Sequence, residues 1–427
     1  MNSKMRPKTA QAVLYFAVFC VLLGGCTNTA PVETPRHVIL LTVDTLRRDH
    51  LGAYGNPDVY TPNLDAMARQ SMQYRTAVSP MARTNPSFAT LHTGLNPVEH
   101  GVKSLFRTLG QEQVTIAEIF QERGFKTVFF NANPMLKPGS GFSQGFDFYI
   151  EPTKRLTFPP EQQKQLLSAQ DAKIGHRINQ VLKQKNPKQG SWLQKINTGA
   201  YDRQKTEPQC KNAAEYVTDA AIRYMDKHTG AESVFLWLLY MDPHWPYEPP
   251  SPYSHFHVKN VKTDIRSYDM LPMPQIKFKN TMDEATLSYL ESLYMSEVDY
   301  LDHHIGRLLR HMDAAGNLEN SLILFTADHG ESLGEHGIHF CHGDVVYNDN
   351  IKVPLWVYSE RNAAPELLDQ VVPMADARDI LMDNYKSQGT LSDQLEGKES
   401  QPVYSTTGST SPENPLTHID GMQGRHH

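Results

Sequence analysis

Two stretches far apart in the chain carry residues that could do chemistry together. The first, His37-Val38-Ile39-Leu40-Leu41-Thr42-Val43-Asp44, is an apolar run that ends on a carboxylate. The second runs Ser321-Leu322-Ile323-Leu324-Phe325-Thr326-Ala327 into Asp328-His329-Gly330-Glu331. Two carboxylates and an imidazole, joined by a hydroxyl, suit one divalent cation such as Ca²⁺, Mg²⁺, Mn²⁺ or Zn²⁺. Such an ion would neutralise an anionic substrate and activate a hydroxyl. Thr84, in Ala82-Arg83-Thr84-Asn85-Pro86-Ser87, stands ahead of a short helical stretch and could supply it. A helix N-terminus favours anions through its dipole and open N–H donors, although a plain N-cap would also account for a threonine there. His244 lies in Asp242-Pro243-His244-Trp245-Pro246-Tyr247, behind a third apolar run, and prolines stiffen its loop. His336, His339 and His342 crowd the loop after Asp328, with Cys341 and Asp344. Their spacing matches no helical zinc motif. One of them as an acid or substrate contact, with the rest as loop residues, is the economical reading.

These residues need a sheet to bring them together. Continuous apolar runs bounded by polar switches read as strands buried on both faces, as in parallel sheets. In open α/β sheets ligands gather beyond the carboxyl ends of the strands. Asp44, Asp328, His329 and His244 therefore fall on one edge, with Thr84. Strands are expected at 37–44, 126–130, 233–240, 321–327 and 353–358. Thr61-Pro62 opens a helix carrying Leu64, Met67, Ala68 and Met72 inward. Further helices are expected at 114–123, 212–228 and 284–315. The alternation predicts an α/β fold: a central, mainly parallel sheet sandwiched by helices. Residues 151–210, rich in Gln and Lys, read as a helical insertion. Beyond Asn362 helix signals fade into a polar end, with Val403-Tyr404 as a last strand.

The chain has 427 residues, 39% apolar and 21% charged, which suits a packed core. A net charge of −6 without a basic or aromatic platform argues against a nucleic-acid partner. Lys4, Arg6 and Lys8 precede a short apolar core and Leu23-Gly24-Gly25-Cys26. This reads as a secretory signal over 1–25, and its end resembles a bacterial lipobox, with lipid attached at Cys26. Residues 26–36 would then be a tether, and the protein an exported one of the cell envelope, anchored to a membrane by lipid. Cys210 and Cys341 remain, and spacing alone does not pair them.

The ordered motifs resemble the sulfatase family of the alkaline phosphatase superfamily. They run Val43-Asp44-Thr45-Leu46-Arg47-Arg48-Asp49-His50-Leu51-Gly52 with Tyr54-Gly55, then Thr61-Pro62-Asn63-Leu64-Asp65, then Pro86-Ser87 through Leu91-His92-Thr93-Gly94. Gly145-Phe146-Asp147, Asp242-Pro243-His244-Trp245-Pro246-Tyr247, Thr326-Ala327-Asp328-His329-Gly330-Glu331 and Gly334-Glu335-His336-Gly337 complete them. The resemblance implies a catalytic domain over 37–360, the insertion within it, and a reduced or truncated C-terminal subdomain and polar tail over 361–427. It implies Asp44, Asp328 and His329 as metal ligands and position 84 as the nucleophile. His244 and His342 become proton donors or substrate contacts.

The chain departs from the family pattern at three places. Thr84 stands where sulfate-cleaving members have the Cys or Ser that becomes formylglycine, and threonine cannot become that aldehyde. Phe88 stands at the family's arginine, and Asn131, Asn133 and Pro134 replace a lysine and histidine. Asn133 is then a substrate contact. The expected function is hydrolysis of sulfate or phosphate esters on a small molecule, glycan or lipid, through a metal-bound Thr84. Alternatives are a phosphoethanolamine- or phosphoglycerol-type transferase of the envelope and a non-catalytic glycan-binding relative.

Overall fold

The computed structural model describes residues 35–150, 213–228, 232–255, 257, 284–343, 345–360 and 365–387, and two short strands beyond. Cys26, the signal, most of the tether, the 151–210 insertion, Cys210 and Asp344 lie outside the described residues.

Eight strands form the main sheet. In chain order they are β1 (His37–Val43), β2 (Ser71–Val78), β3 (Lys126–Asn131), β4 (Phe148–Ile150), β5 (Val234–Tyr240) and β6 (Ser321–Ala327). A two-stranded ribbon follows, β7 (Ser332–Leu333) with β8 (His339–Cys341), then β9 (Lys352–Tyr358) and β10 (Glu366–Pro373). The spatial order is β10-β2-β9-β6-β1-β5-β3-β4. Only β9 runs against its neighbours β2 and β6, so the sheet is mostly parallel as expected. Every residue of β5 and β6 is buried, which is why their sequences are unbroken apolar runs. Helices cover the sheet. Ala213–Lys227 and Pro62–Ala68 both pack on the long helix Glu284–Ala314. Thr84–Thr93 packs with Ile116–Glu122 and Ala377–Ser387.

Strand register positions the site. Val43 pairs with Tyr240 on one side and with Ala327 on the other. The three strands therefore finish level, and Asp44, Met241 and Asp328 follow side by side. Adjacent strands lie about 4.8 Å apart, so Asp44 and Asp328 leave neighbouring strands close enough to share a ligand.

Several elements differ from the sequence reading. The helix from Pro62 ends at Ala68, and Met72, expected on its inner face, lies in β2. That strand is buried, but its pattern changes at Arg75 and its pairing shifts register between Tyr74 and Ala77, which hides the period of two. β10 and the helix Ala377–Ser387 arise from the stretch expected to fade into a tail. β10 is a mostly exposed edge strand, so little burial shows in its sequence. Tyr404–Ser405 pairs with Gly421–Met422 in a separate antiparallel ribbon.

Candidate metal centre and active site

Asp44 and His329 are completely buried, as is Asp328. One ligand atom from each lies within 4.8 Å of the others. His329 Nε2 is 3.2 Å from Asp328 Oδ2 and 3.9 Å from Asp44 Oδ1. These three atoms have no hydrogen-bond partner among the described residues. The other atoms of the same side chains are committed. Asp328 Oδ1 accepts from the backbone N–H of Thr45 at 3.1 Å and of His329 at 2.8 Å. The His329 Nδ1–H donates to Gly330 O at 2.8 Å, which leaves Nε2 a lone pair. Asp44 Oδ2 accepts from Asn133 Nδ2.

Electrostatics show what this arrangement would hold. Burial pushes the Asp44 carboxyl up to about 6, against the pull of His244 and Asn133. Burial and then the Asp44 charge push Asp328 well above the carboxylate range. Burial and then His342 hold His329 well below its ordinary value, so it is a neutral imidazole. Two desolvated like charges with converging open lone pairs cost several kcal/mol each unless a cation or proton joins them. A divalent cation fits this donor set of two carboxylate oxygens and one neutral nitrogen.

Around the three lie the other expected residues. His342 packs its ring against His329 with centroids 4.4 Å apart, and His244 lies 5.3 Å from His342. The His342 Nδ1–H donates to Glu331 Oε1 at 2.9 Å, and that of His244 to Trp245 O at 2.6 Å. All three imidazoles are thus held through Nδ1. His336 and His339 have no such place. His336 is exposed and stacks on Tyr347, and His339 is buried in β8.

Thr84 is buried as the first residue of its helix. Its neighbour Arg83 donates from Nε to Gly343 O at 3.0 Å, next to His342, which brings this helix end to the histidines. Phe88 faces away into the core, its ring 5.8 Å from Trp237. Asn133, expected as a substrate contact, has its amide engaged elsewhere. Nδ2 binds Asp44 and Oδ1 accepts from Met135 N at 2.7 Å, so this side chain clamps the Asp44 carboxylate.

Four residues received no role from sequence. Glu331 orients His342, and burial lifts its carboxyl to about 7. Thr45 sits at φ 57, a region costly for a β-branched residue, with a buried hydroxyl that lacks a partner among the described residues. Arg47 locks the loop after β1 to the turn between β7 and β8, holding Asp49 at 2.7 Å and Glu335 at 2.6 Å. Gly330 admits Asp349 O so closely that a Cβ would lie 2.0 Å from it. Glu331, Thr45, Arg47 and Gly330 all stand inside the quoted motifs, so their position was the available signal.

A family model described as Sulfatase matches residues 36–383. An ulvan-active sulfatase of Formosa agariphila is 24% identical over 331 residues, covering 76% of this chain and 56% of its own. An arylsulfatase of Clostridium perfringens is 23% identical over 388 residues, covering 81% of this chain and 74% of its own. The chain thus spans just over half the length of the first and about three-quarters of the second. Among solved structures, the phosphonate monoester hydrolase of Agrobacterium radiobacter superposes with a TM-score of 0.62 at 20% identity, over 87% of this chain and 80% of its own. That likeness concerns the fold. With the match running from the residue before β1 into the helix after β10, and with the candidate ligand cluster inside it, the chain belongs to the sulfatase family.

Proposed function

We propose that the protein is a metal-dependent hydrolase of sulfate or phosphate esters in which Thr84 is the nucleophile. The observation that carries it is the convergence of Asp44 Oδ1, Asp328 Oδ2 and His329 Nε2, buried and without partners among the described residues, at the strand ends. Relatives named as sulfatases and a structural neighbour named as a phosphonate monoester hydrolase support the ester class. A divalent cation held by Asp44, Asp328 and His329 would neutralise charge on the ester and lower the pKa of a nearby hydroxyl.

The chain's own residues do the rest. One imidazole of the His244–His342 pair takes the Thr84 proton as Oγ1 bonds to sulfur or phosphorus. The other gives a proton to the departing alcohol oxygen as its ester bond breaks. Water then attacks the same sulfur or phosphorus and loses its proton to the second imidazole. Thr84 leaves with the proton stored on the first, and the site is restored. Glu331 holds His342 in the tautomer this needs, and Asn133 fixes Asp44. Threonine suits a phosphoryl intermediate better than a sulfuryl one. A sulfated threonine must be cleaved by water, without the elimination open to an aldehyde hydrate.

The test is turnover of paired aryl sulfate, phosphate monoester and phosphonate monoester substrates by the purified protein, Thr84→Ala and Asp328→Asn. Turnover that both substitutions abolish supports the assignment. Sulfate-ester turnover that survives Thr84→Ala sinks it. The location is proposed too: lipid on Cys26 would anchor an exported chain to a membrane. No helix of the described residues is long and apolar enough to cross one. A Cys26→Ala protein that stays in the membrane fraction would refute that anchor.

A further inference from the structure

Thr45, the residue after Asp44, holds a backbone conformation that threonine avoids. Its φ of 57° puts a β-branched residue in the left-handed region. The side chain does not compensate, because Oγ1 is buried without a partner among the described residues. Such strain persists only where the surroundings over-determine it, and it collects at functional sites. Two contacts do so here. On one side the Thr45 N–H donates to Asp328 Oδ1 at 3.1 Å. On the other, the Tyr294 hydroxyl donates to Thr45 O at 2.8 Å and accepts from the Arg47 N–H at 2.9 Å. One phenol oxygen thus closes the turn by satisfying two of its backbone groups, as a hydroxyl with one donor and two acceptor sites can.

Tyr294 belongs to the long helix Glu284–Ala314, on the buried face that Leu290 and Val298 also line, and is itself completely buried. Its ring is held independently of its hydroxyl. It meets His50 edge-on with centroids 5.1 Å apart, and Tyr247, three residues past His244, at 5.4 Å. The hydroxyl is therefore a fixed point supplied from outside the strand-end loops that carry Asp44 and Asp328. Relaxing Thr45 to negative φ would rotate its two flanking peptides against each other. With Tyr294 holding the carbonyl, the N–H stays on Asp328. Without it, Asp328 Oδ1 would keep only the His329 N–H at 2.8 Å. The carboxylate whose Oδ2 lies 3.2 Å from His329 Nε2 could then turn.

We propose that Tyr294 is a positioning residue of the metal centre: its hydroxyl holds Thr45 left-handed, so that the Thr45 N–H fixes the Asp328 carboxylate for the cation. The proposal rests on the reading of Asp44, Asp328 and His329 as the ligands. Groups that hold a ligand's second atom orient the first, and metal affinity depends on them.

The experiment strips the full chain with a chelator and measures its Kd for Ca²⁺, Mg²⁺, Mn²⁺ and Zn²⁺, each alone, by calorimetry. Melting temperatures of the metal-free proteins are taken alongside. The proteins are wild type, Tyr294→Phe, Thr45→Gly, the double variant Thr45→Gly/Tyr294→Phe and Asp328→Asn. Phenylalanine keeps the ring contacts and removes one oxygen. Tyr294→Phe should lose about ten- to hundred-fold in affinity for the tightest-binding cation. Glycine adopts positive φ freely and keeps its N–H. The double variant should therefore bind that cation more tightly than Tyr294→Phe alone. Tyr294→Phe with wild-type affinity overturns the proposal; a lower melting temperature by itself marks a tyrosine that only packs. A loss that Thr45→Gly does not reduce overturns it too, because the hydroxyl would then act by a route other than Thr45. Asp328→Asn separates the two readings. If it loses the cation while Tyr294→Phe does not, Tyr294 alone is excluded. If it binds like wild type, or if no cation binds wild type, the ligand assignment fails and the proposal with it.

Discussion

Two pairs of buried acids lie at the same edge of the sheet, and they are resolved in opposite ways. Asp44 and Asp328 follow β1 and β6; Asp242 follows β5, with Glu297 on the long helix. Both pairs are desolvated. In the second, burial lifts Asp242 to about 7, and burial together with the Asp242 charge lifts Glu297 well above the carboxylate range. Its known contacts are backbone donors: Ala214 N to Asp242 Oδ2 at 2.7 Å and Glu248 N to Glu297 Oε1 at 2.6 Å. A proton settles that pair. In the first pair His329 adds a neutral nitrogen whose lone pair joins two open carboxylate oxygens, and a proton cannot satisfy all three. The difference teaches that buried like charge alone does not mark a candidate metal site; here the converging third donor, His329, does.

The comparison breaks most visibly through Asp328→Asn. Loss of one anionic ligand should remove bound metal, measured per chain by elemental analysis. Ester turnover should fall by on the order of a thousand-fold, since a catalytic metal supplies several kcal/mol. Glu297→Gln should leave metal content unchanged. If it empties the site, the two pairs are not independent.

A smaller effect should follow from chelation. Metal returned at a hundred times its Kd should stabilise the chelated protein by about 2.7 kcal/mol, read as a rise in melting temperature. Asp328→Asn should show no such rise. Asn133→Ala, which frees Asp44 Oδ2, should weaken metal affinity about ten- to hundred-fold. Unchanged affinity would make Asn133 a packing residue.

The smallest effect concerns the protonated pair. Asp242 has a folded pKa near 7 against 3.8 for a free side chain, and Glu297 is raised too. The fold therefore takes up protons as it forms. Its stability from this pair is full below the unfolded values and is lost as pH rises through about 7. Glu297→Gln should remove part of that loss, so the variant should gain stability relative to wild type as pH rises past 7. Thermal melts across pH would show a flatter profile. A variant less stable than wild type at every pH would mean that the pair is not held by a proton.

Much of the site was legible because its residues follow apolar runs that could only be central strands. Asp44, Asp328 and His329 were placed on one edge by that logic, and they meet. The bond from Asn133 to Asp44 was not legible, because an amide looks alike whether it faces substrate or a ligand's carboxylate. β2 and β10 were missed for a related reason. An irregular strand and an exposed edge strand write little of their burial into their composition.

By itself the sequence determined which segments are buried strands and which residues end them. Unbroken apolar runs have few other low-energy places to go. Only the tertiary structure decided that β1, β5 and β6 finish level, which sets the distance between Asp44 and Asp328. It also decided that Asp242 would pair with Glu297 rather than join them. Register and helix placement are set by packing between segments hundreds of residues apart, and no local stretch of chain encodes those distances.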